Sequence, residues 1–260
     1  MTRVISGVLL GAAALAAILF LPFVGLRILA CAVAGLAADE YLQITGTRRA
    51  ALKWLVIVAV VYTCWWAAVP SAFSAVIAVI VVIAWLAIEV LREERTLEAA
   101  AVDLVAPVYI GAPLGMLVAL QGMAGAKGTL VLLGTIVVSD SAQYYTGRAF
   151  GRRPLAPRIS PKKTVEGALG GLVFGTAFLV IAFAFVFPST PPVLRILLGM
   201  VVVFLGIVGD LFESRLKRLA QVKDSSSLIP GHGGVLDRID ALLFAVPVFY
   251  FMVLRGVGGP

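Results

Sequence analysis

Charge is scarce in this sequence: 13% of its 260 residues are Asp, Glu, Lys or Arg, against about 25% in an ordinary soluble domain. With 61% hydrophobic residues and a mean hydropathy of +1.05, the chain has too little polar surface to clothe a water-soluble fold. Cysteine is nearly absent. Cys31 and Cys64 both fall inside apolar runs, which excludes a disulfide framework and any zinc-ligand spacing. Histidine occurs once, at His232, and no residue pattern suggests a serine triad or a thiolate nucleophile. Internal repeats and low-complexity tracts are also missing, which counts against a transporter built from inverted repeats.

What the chain has instead is apolar runs of roughly 20 residues, the length that crosses the hydrocarbon core as a helix. They predict an all-α, polytopic integral membrane protein with about nine transmembrane helices, near residues 4–21, 24–38, 52–69, 71–91, 99–121, 127–147, 165–187, 192–213 and 236–255. The first run follows Arg3 as a secretory signal would, but it is long for one and a second apolar segment follows directly after Pro22. Both read as mature spans. An N-terminus inside and a C-terminus outside puts all but Arg27, Lys127, Arg195 and Arg255 of the 21 Lys and Arg residues on the cytoplasmic side, as the positive-inside rule requires. The expected location is the cytoplasmic (inner) membrane with the active site facing the cytoplasm. The net charge of +7 suits anionic lipid or a polyphosphate substrate. Residues 1–125 read as N-terminal membrane helices and residues 126–260 as the catalytic region, because nearly every polar cluster lies after residue 126.

Those clusters are four. The loop RAFGRRPLAPRISPKK, Arg148 to Lys163, has six basic residues, no acid and three prolines. It is either a topology signal or a phosphate clamp in which Lys162 and Lys163 precede a helix starting near Thr164, a plausible N-cap with Glu166 in the first turn. Asp140 closes the sixth run. It is either an interfacial acid or a site residue. Asp210 follows VVVFLGIVG and needs a cation or a proton; Ser214 and Lys217 continue its helical face at i+4 and i+7. Finally KDSSSLIPGHGGVLDRID carries His232 among glycines that bring backbone close to a ligand, and Asp237 and Asp240 at the start of the last span. Carboxylates on helix ends within a ring of Lys and Arg make a hard-cation site for Mg²⁺ and substrate phosphates.

From Ser214 to Asp240 the sequence reads SRLKRLAQVKDSSSLIPGHGGVLDRID, which closely resembles the signature of the CDP-diacylglycerol synthases, or phosphatidate cytidylyltransferases; Asp140 to Gly167, with SPKKTVEG, looks like a second block of that family. Gln143 stands where the family usually has a small residue, and Ser225 to Ser227 is more polar than usual. The resemblance implies attack of the phosphate of phosphatidic acid on the α-phosphorus of CTP, with Mg²⁺ required and room for a second cation such as K⁺. It implies metal ligands among Asp210 and Asp237, then Asp140 and Asp240. Catalytic roles are implied for Lys217, Arg218, Lys223, Asp224, His232 and Arg238, and substrate contacts for Ser160, Lys162, Lys163, Ser214, Gly233 and Gly234. The expected partners are CTP, phosphatidic acid and membrane lipid; nucleic acid is not expected, and a homodimer is left open. A polyprenol or phytol kinase, or a synthase acting on an ether-lipid phosphate, needs a similar CTP site, and a transporter using Asp140 and Asp210 as ion sites is the rival from another class.

Overall fold

The computed structural model of the protein describes residues 2–47, 50–69, 97–229, 231 and 233–257. The fourth expected span, residues 71–91, lies outside the described residues, as do Arg48, Arg49, Arg92, Arg95 and His232. Among the described residues the chain is mostly helical. Three helices are long and apolar enough to cross a membrane, Ala101–Phe150, Val165–Val186 and Pro192–Leu219, and Ser6–Phe20 and Leu52–Ala67 are shorter apolar helices. The protein is therefore helical and membrane-spanning. It divides into two compact units, residues 1–119 with 224–238, and residues 120–223 with 239–260.

The first unit holds α1 (Thr2–Phe20), α2 (Phe23–Ile44), α3 (Ala50–Ala67) and α4 (Leu97–Ala106). Pro22, which cannot donate to a preceding turn, separates α1 from α2. Pro107 opens a π-helical turn, Pro107–Gly111, closed by the Ala112 N–H bonding to the Pro107 carbonyl. Two small residues one turn apart, Gly111 and Gly115, let this stretch lie on α3. A β-carbon at Gly111 would stand 2.5 Å from the Val60 carbonyl oxygen, and one at Gly115 would stand 2.4 Å from that of Cys64. This is the close backbone approach that small residues spaced by four provide between membrane helices. Ala34, Ala37, Ala38, Leu42, Val60 and Ile110 fill the core around it.

Helix α5 (Ala112–Phe150) begins in the first unit and continues in the second, where it is broken at Gly125, whose φ of 63° and ψ of −170° are not helical. That break falls between the expected fifth and sixth spans. The cationic loop then folds as a hairpin, β1 (Pro154–Ala156) against β2 (Ser160–Thr164), with Pro154 opposite Thr164 and Ala156 opposite Ser160. Next come α6 (Val165–Val186), α7 (Pro192–Leu219) and α8 (Leu236–Met252), the last begun in the first unit and ending in a π-turn, Val253–Val257. Thr164 caps α6 as expected, its Oγ1 accepting from the Gly167 N–H at 3.1 Å. Exposed Val173, Phe174, Ile181 and Phe185 on α6 would form an apolar patch in water and meet acyl chains in a bilayer.

Candidate active site

Helix α7 passes α8 at Gly209, where a β-carbon would lie 2.5 Å from the Asp240 carbonyl oxygen. That approach, open only to glycine, sets the next residue, Asp210, beside Asp240. Asp240 interacts electrostatically with Asp210, Asp140 and Lys217. Three of the four expected carboxylates thus gather in one unit, from α5, α7 and α8. Asp140, exposed at the surface, also accepts from Gln143 Nε2 at 3.0 Å. The cation on Asp210 comes from the hairpin: Lys163 Nζ donates to Asp210 Oδ2. Strand alternation explains why it is Lys163 and not its neighbour. Side chains of β2 point to opposite faces in turn, so Lys163 is half-buried and Lys162 exposed. Ser214 Oγ stands 3.4 Å from Asp210 Oδ1, on the face the i, i+4 spacing predicts.

Lys217, expected on that same face, is instead engaged by Glu213, a wholly buried acid one turn back on α7. Sequence reasoning missed Glu213, although an acid three residues beyond Asp210 in an apolar helix carries the same desolvation signal. Arg218 donates from Nε to the Ile159 carbonyl and from Nη1 to that of Val222, so it fastens the hairpin turn to the end of α7. Ser160 lies in β2. Glu166 Oε2 accepts from the backbone N–H groups of Arg152 and Arg153, closing the hairpin from the first turn of α6. Lys223 is exposed.

The glycine-rich loop after Lys223 belongs to the first unit. Asp224 and Arg238 are exposed and Ser225 is buried. Asp237 Oδ2 accepts from Ser225 N–H at 2.9 Å, Ser225 Oγ at 2.9 Å and Gly234 N–H at 2.8 Å. Gly233 has φ of 78°, and a β-carbon there would lie 2.4 Å from Asp237 Oδ2. Asp237 therefore organises the loop, in a different unit from Asp210. Sequence reasoning also passed over Glu40 of α2, only 3% exposed, whose carboxylate bonds to Ser225, Ser226, Val235 and Leu236. Its signal was the pair of acids, Asp39 and Glu40, that follows the run Leu26 to Ala38.

Among the described residues, no group of three or more His, Cys, Asp or Glu side chains forms a ready-made metal cage. The gathered carboxylates and ammoniums are suited instead to a cation completed by substrate oxygens, with further cations for phosphate. The model of the Cytidylyltransferase family matches residues 1–255. The chain belongs to this family. Among its relatives are proteins named phosphatidate cytidylyltransferase. The one from Haemophilus influenzae is 52% identical over 126 residues, covering 45% of this chain and 43% of that protein. The one from Aquifex aeolicus is 42% identical over 127 residues, covering 49% and 47%, and the one from Bacillus subtilis is 39% identical over 153 residues, covering 57% and 56%. The chain spans about half the length of the curated relatives it matches.

Proposed function

We propose that this cytidylyltransferase moves the cytidylyl group of CTP to phosphatidic acid, forming CDP-diacylglycerol and releasing pyrophosphate. One observation carries the reading: Asp140, Asp210 and Lys217 on apolar helices, Asp240 at the start of α8 and Lys163 of the hairpin bring both signs of charge together, in a chain whose relatives bear that enzyme's name. A phosphate oxygen of the lipid forms the new bond to the α-phosphorus of CTP, and the bond to the leaving pyrophosphate breaks. The nucleophile is already an anion, so the protein needs no covalent intermediate. Its work is to hold two mutually repelling anions in line and to offset charge gathering on pyrophosphate. Lys163, Lys217 and Arg218, with exposed Lys162, Lys223 and Arg238, supply that charge. Ser160, Ser214 and the backbone at Gly233 and Gly234 contact substrate, and His232 lies in the nucleotide loop.

The donor set fits Mg²⁺, which takes one or two carboxylates and completes its shell with water and phosphate oxygens. Asp210, Asp240 and Asp140 would hold it, and when bound it would neutralise charge on the triphosphate. Asp237 orders the loop by its Oδ2. A second cation such as K⁺ would use the same kind of oxygen donor. The basic residues support about nine spans with the N-terminus and the active site on the cytoplasmic side.

Purified full-length chain in detergent, given CTP, phosphatidic acid and Mg²⁺, is expected to release pyrophosphate in step with a CDP-lipid. Absence of both products removes the proposal. Release of CDP with a newly phosphorylated lipid alcohol assigns a kinase instead.

A further inference from the structure

A buried carboxylate is costly unless hydrogen bonds replace the water it loses. Glu40 is almost fully supplied. Oε1 accepts from Ser226 Oγ at 2.7 Å and Val235 N–H at 2.9 Å, and Oε2 accepts from Ser225 Oγ at 2.9 Å and Leu236 N–H at 2.8 Å. A carboxylate has about four lone-pair sites, so these donors use its capacity. They come from the two ends of one loop: Ser225 and Ser226 at its entrance, Val235 and Leu236 at its exit. The second pair are free N–H groups at the start of α8, the kind of donor a cap satisfies. Glu40 therefore caps α8 from another helix while drawing the mouth of the loop shut.

The clasp has a second half. Asp237 Oδ2 accepts from Ser225 and Gly234 inside the same loop, and Ile229 N–H bonds to the Gly233 carbonyl at 2.9 Å across it. The Ser225 hydroxyl lies 2.9 Å from both carboxylates but has one proton, so it donates to one of them at a time. Gly234 leaves room for the arrangement. A β-carbon there would stand 2.1 Å from Ser225 Oγ and 2.3 Å from Glu40 Oε2.

We infer that Glu40 is a positioning residue for the nucleotide: it touches no substrate, and it fixes the backbone at the two ends of the loop, 225–226 and 235–236, in the shape that receives a nucleoside triphosphate. The inference rests on the proposed cytidylyltransferase site for the role of the loop. Because the clasp is a set of hydrogen bonds to one charged group, its loss should loosen the loop without unpacking the helices around it.

The test is hydrogen exchange on the full chain in detergent, with and without CTP, alongside initial rates. Glu40→Gln keeps the size of the side chain but turns an NH₂ group toward N–H donors. Exchange at 225–236 is expected to quicken about tenfold or more, the effect of losing one charge-assisted hydrogen bond. The CTP concentration that half-protects those amides should rise by a similar factor. The KM for CTP should rise with it, while that for phosphatidic acid stays within about twofold, a split that general destabilisation would not produce. Glu40→Asp should recover part of each change. Should Glu40→Gln fail to fold, Ser226→Ala removes one of the four donors and should move the same readouts less. Unchanged exchange at 225–236, or faster exchange with unaltered CTP dependence, overturns the inference. If the wild type transfers no cytidylyl group, the enzymatic reading falls by itself, and CTP protection of the loop still decides whether Glu40 positions it.

Discussion

Lys162 and Lys163 are chain neighbours that do different things, because a strand points them to opposite faces. Lys163 is held on Asp210, whereas Lys162 meets solvent. Lys163→Gln is expected to lower pyrophosphate release about tenfold or more, by removing a charge-assisted contact, and Lys162→Gln to cost less. Equal losses would mean that the charge of the loop matters and the Asp210 contact does not. Asp210→Asn preserves size and removes the anion; turnover should fall about a hundredfold. Mg²⁺, as a ligand of the folded state, is expected to raise the Tm of wild type, and that rise should vanish in the variant. Normal turnover with intact Mg²⁺ stabilisation would take Asp210 out of the metal site and leave Asp240 and Asp140 to test. Lys217 poses a separate question, since its partner Glu213 is wholly buried. Lys217→Met strands that charge and should destabilise by about 3–5 kcal/mol, while Lys217→Met with Glu213→Gln should regain most of it in thermal denaturation. A stable single variant would show that the pair contributes little.

At the scale of elements, the cationic segment is a hairpin clamped at three points: Thr164 capping α6, Glu166 on the Arg152 and Arg153 amides, and Arg218 on the Ile159 carbonyl. Thr164→Ala should cost about 1 kcal/mol, the worth of a lost N-cap, and should reduce turnover further by loosening the strand that carries Lys163. A variant with unaltered stability and rate would show that the hairpin is held elsewhere. Helix contacts are less forgiving. At Gly115 the space for a side chain is already filled by the Cys64 carbonyl, so Gly115→Leu should prevent α3 and α5 from packing, and the protein should elute as aggregate in size-exclusion chromatography. A monodisperse, active Gly115→Leu protein would refute that packing.

For the whole molecule, topology is the property the charges should control. Cysteines placed at Ala156 in the hairpin or at exposed Ser227 should react with impermeant reagents from the cytoplasmic side only, over little background from buried Cys31 and Cys64. Reaction from the opposite side would overturn the orientation. Membrane residence, the starts of α6, α7 and α8 and the Thr164 cap were legible in the sequence, because each depends on local properties: length and apolarity of a run, or a hydroxyl ahead of a helix. The approach of Asp210 to Asp240 was legible only as two acids on different runs, since it depends on Gly209 meeting the α8 backbone. Glu40 was not read as functional at all, because beside Asp39 it passes for an ordinary acid at a helix end; its donors are 185 or more residues away. Hydropathy and charge, which act residue by residue, determined that this chain enters a membrane. Which acid meets which base, and which acid holds a loop, was decided by the tertiary structure alone, because such pairs are set by close backbone contacts between segments far apart in sequence.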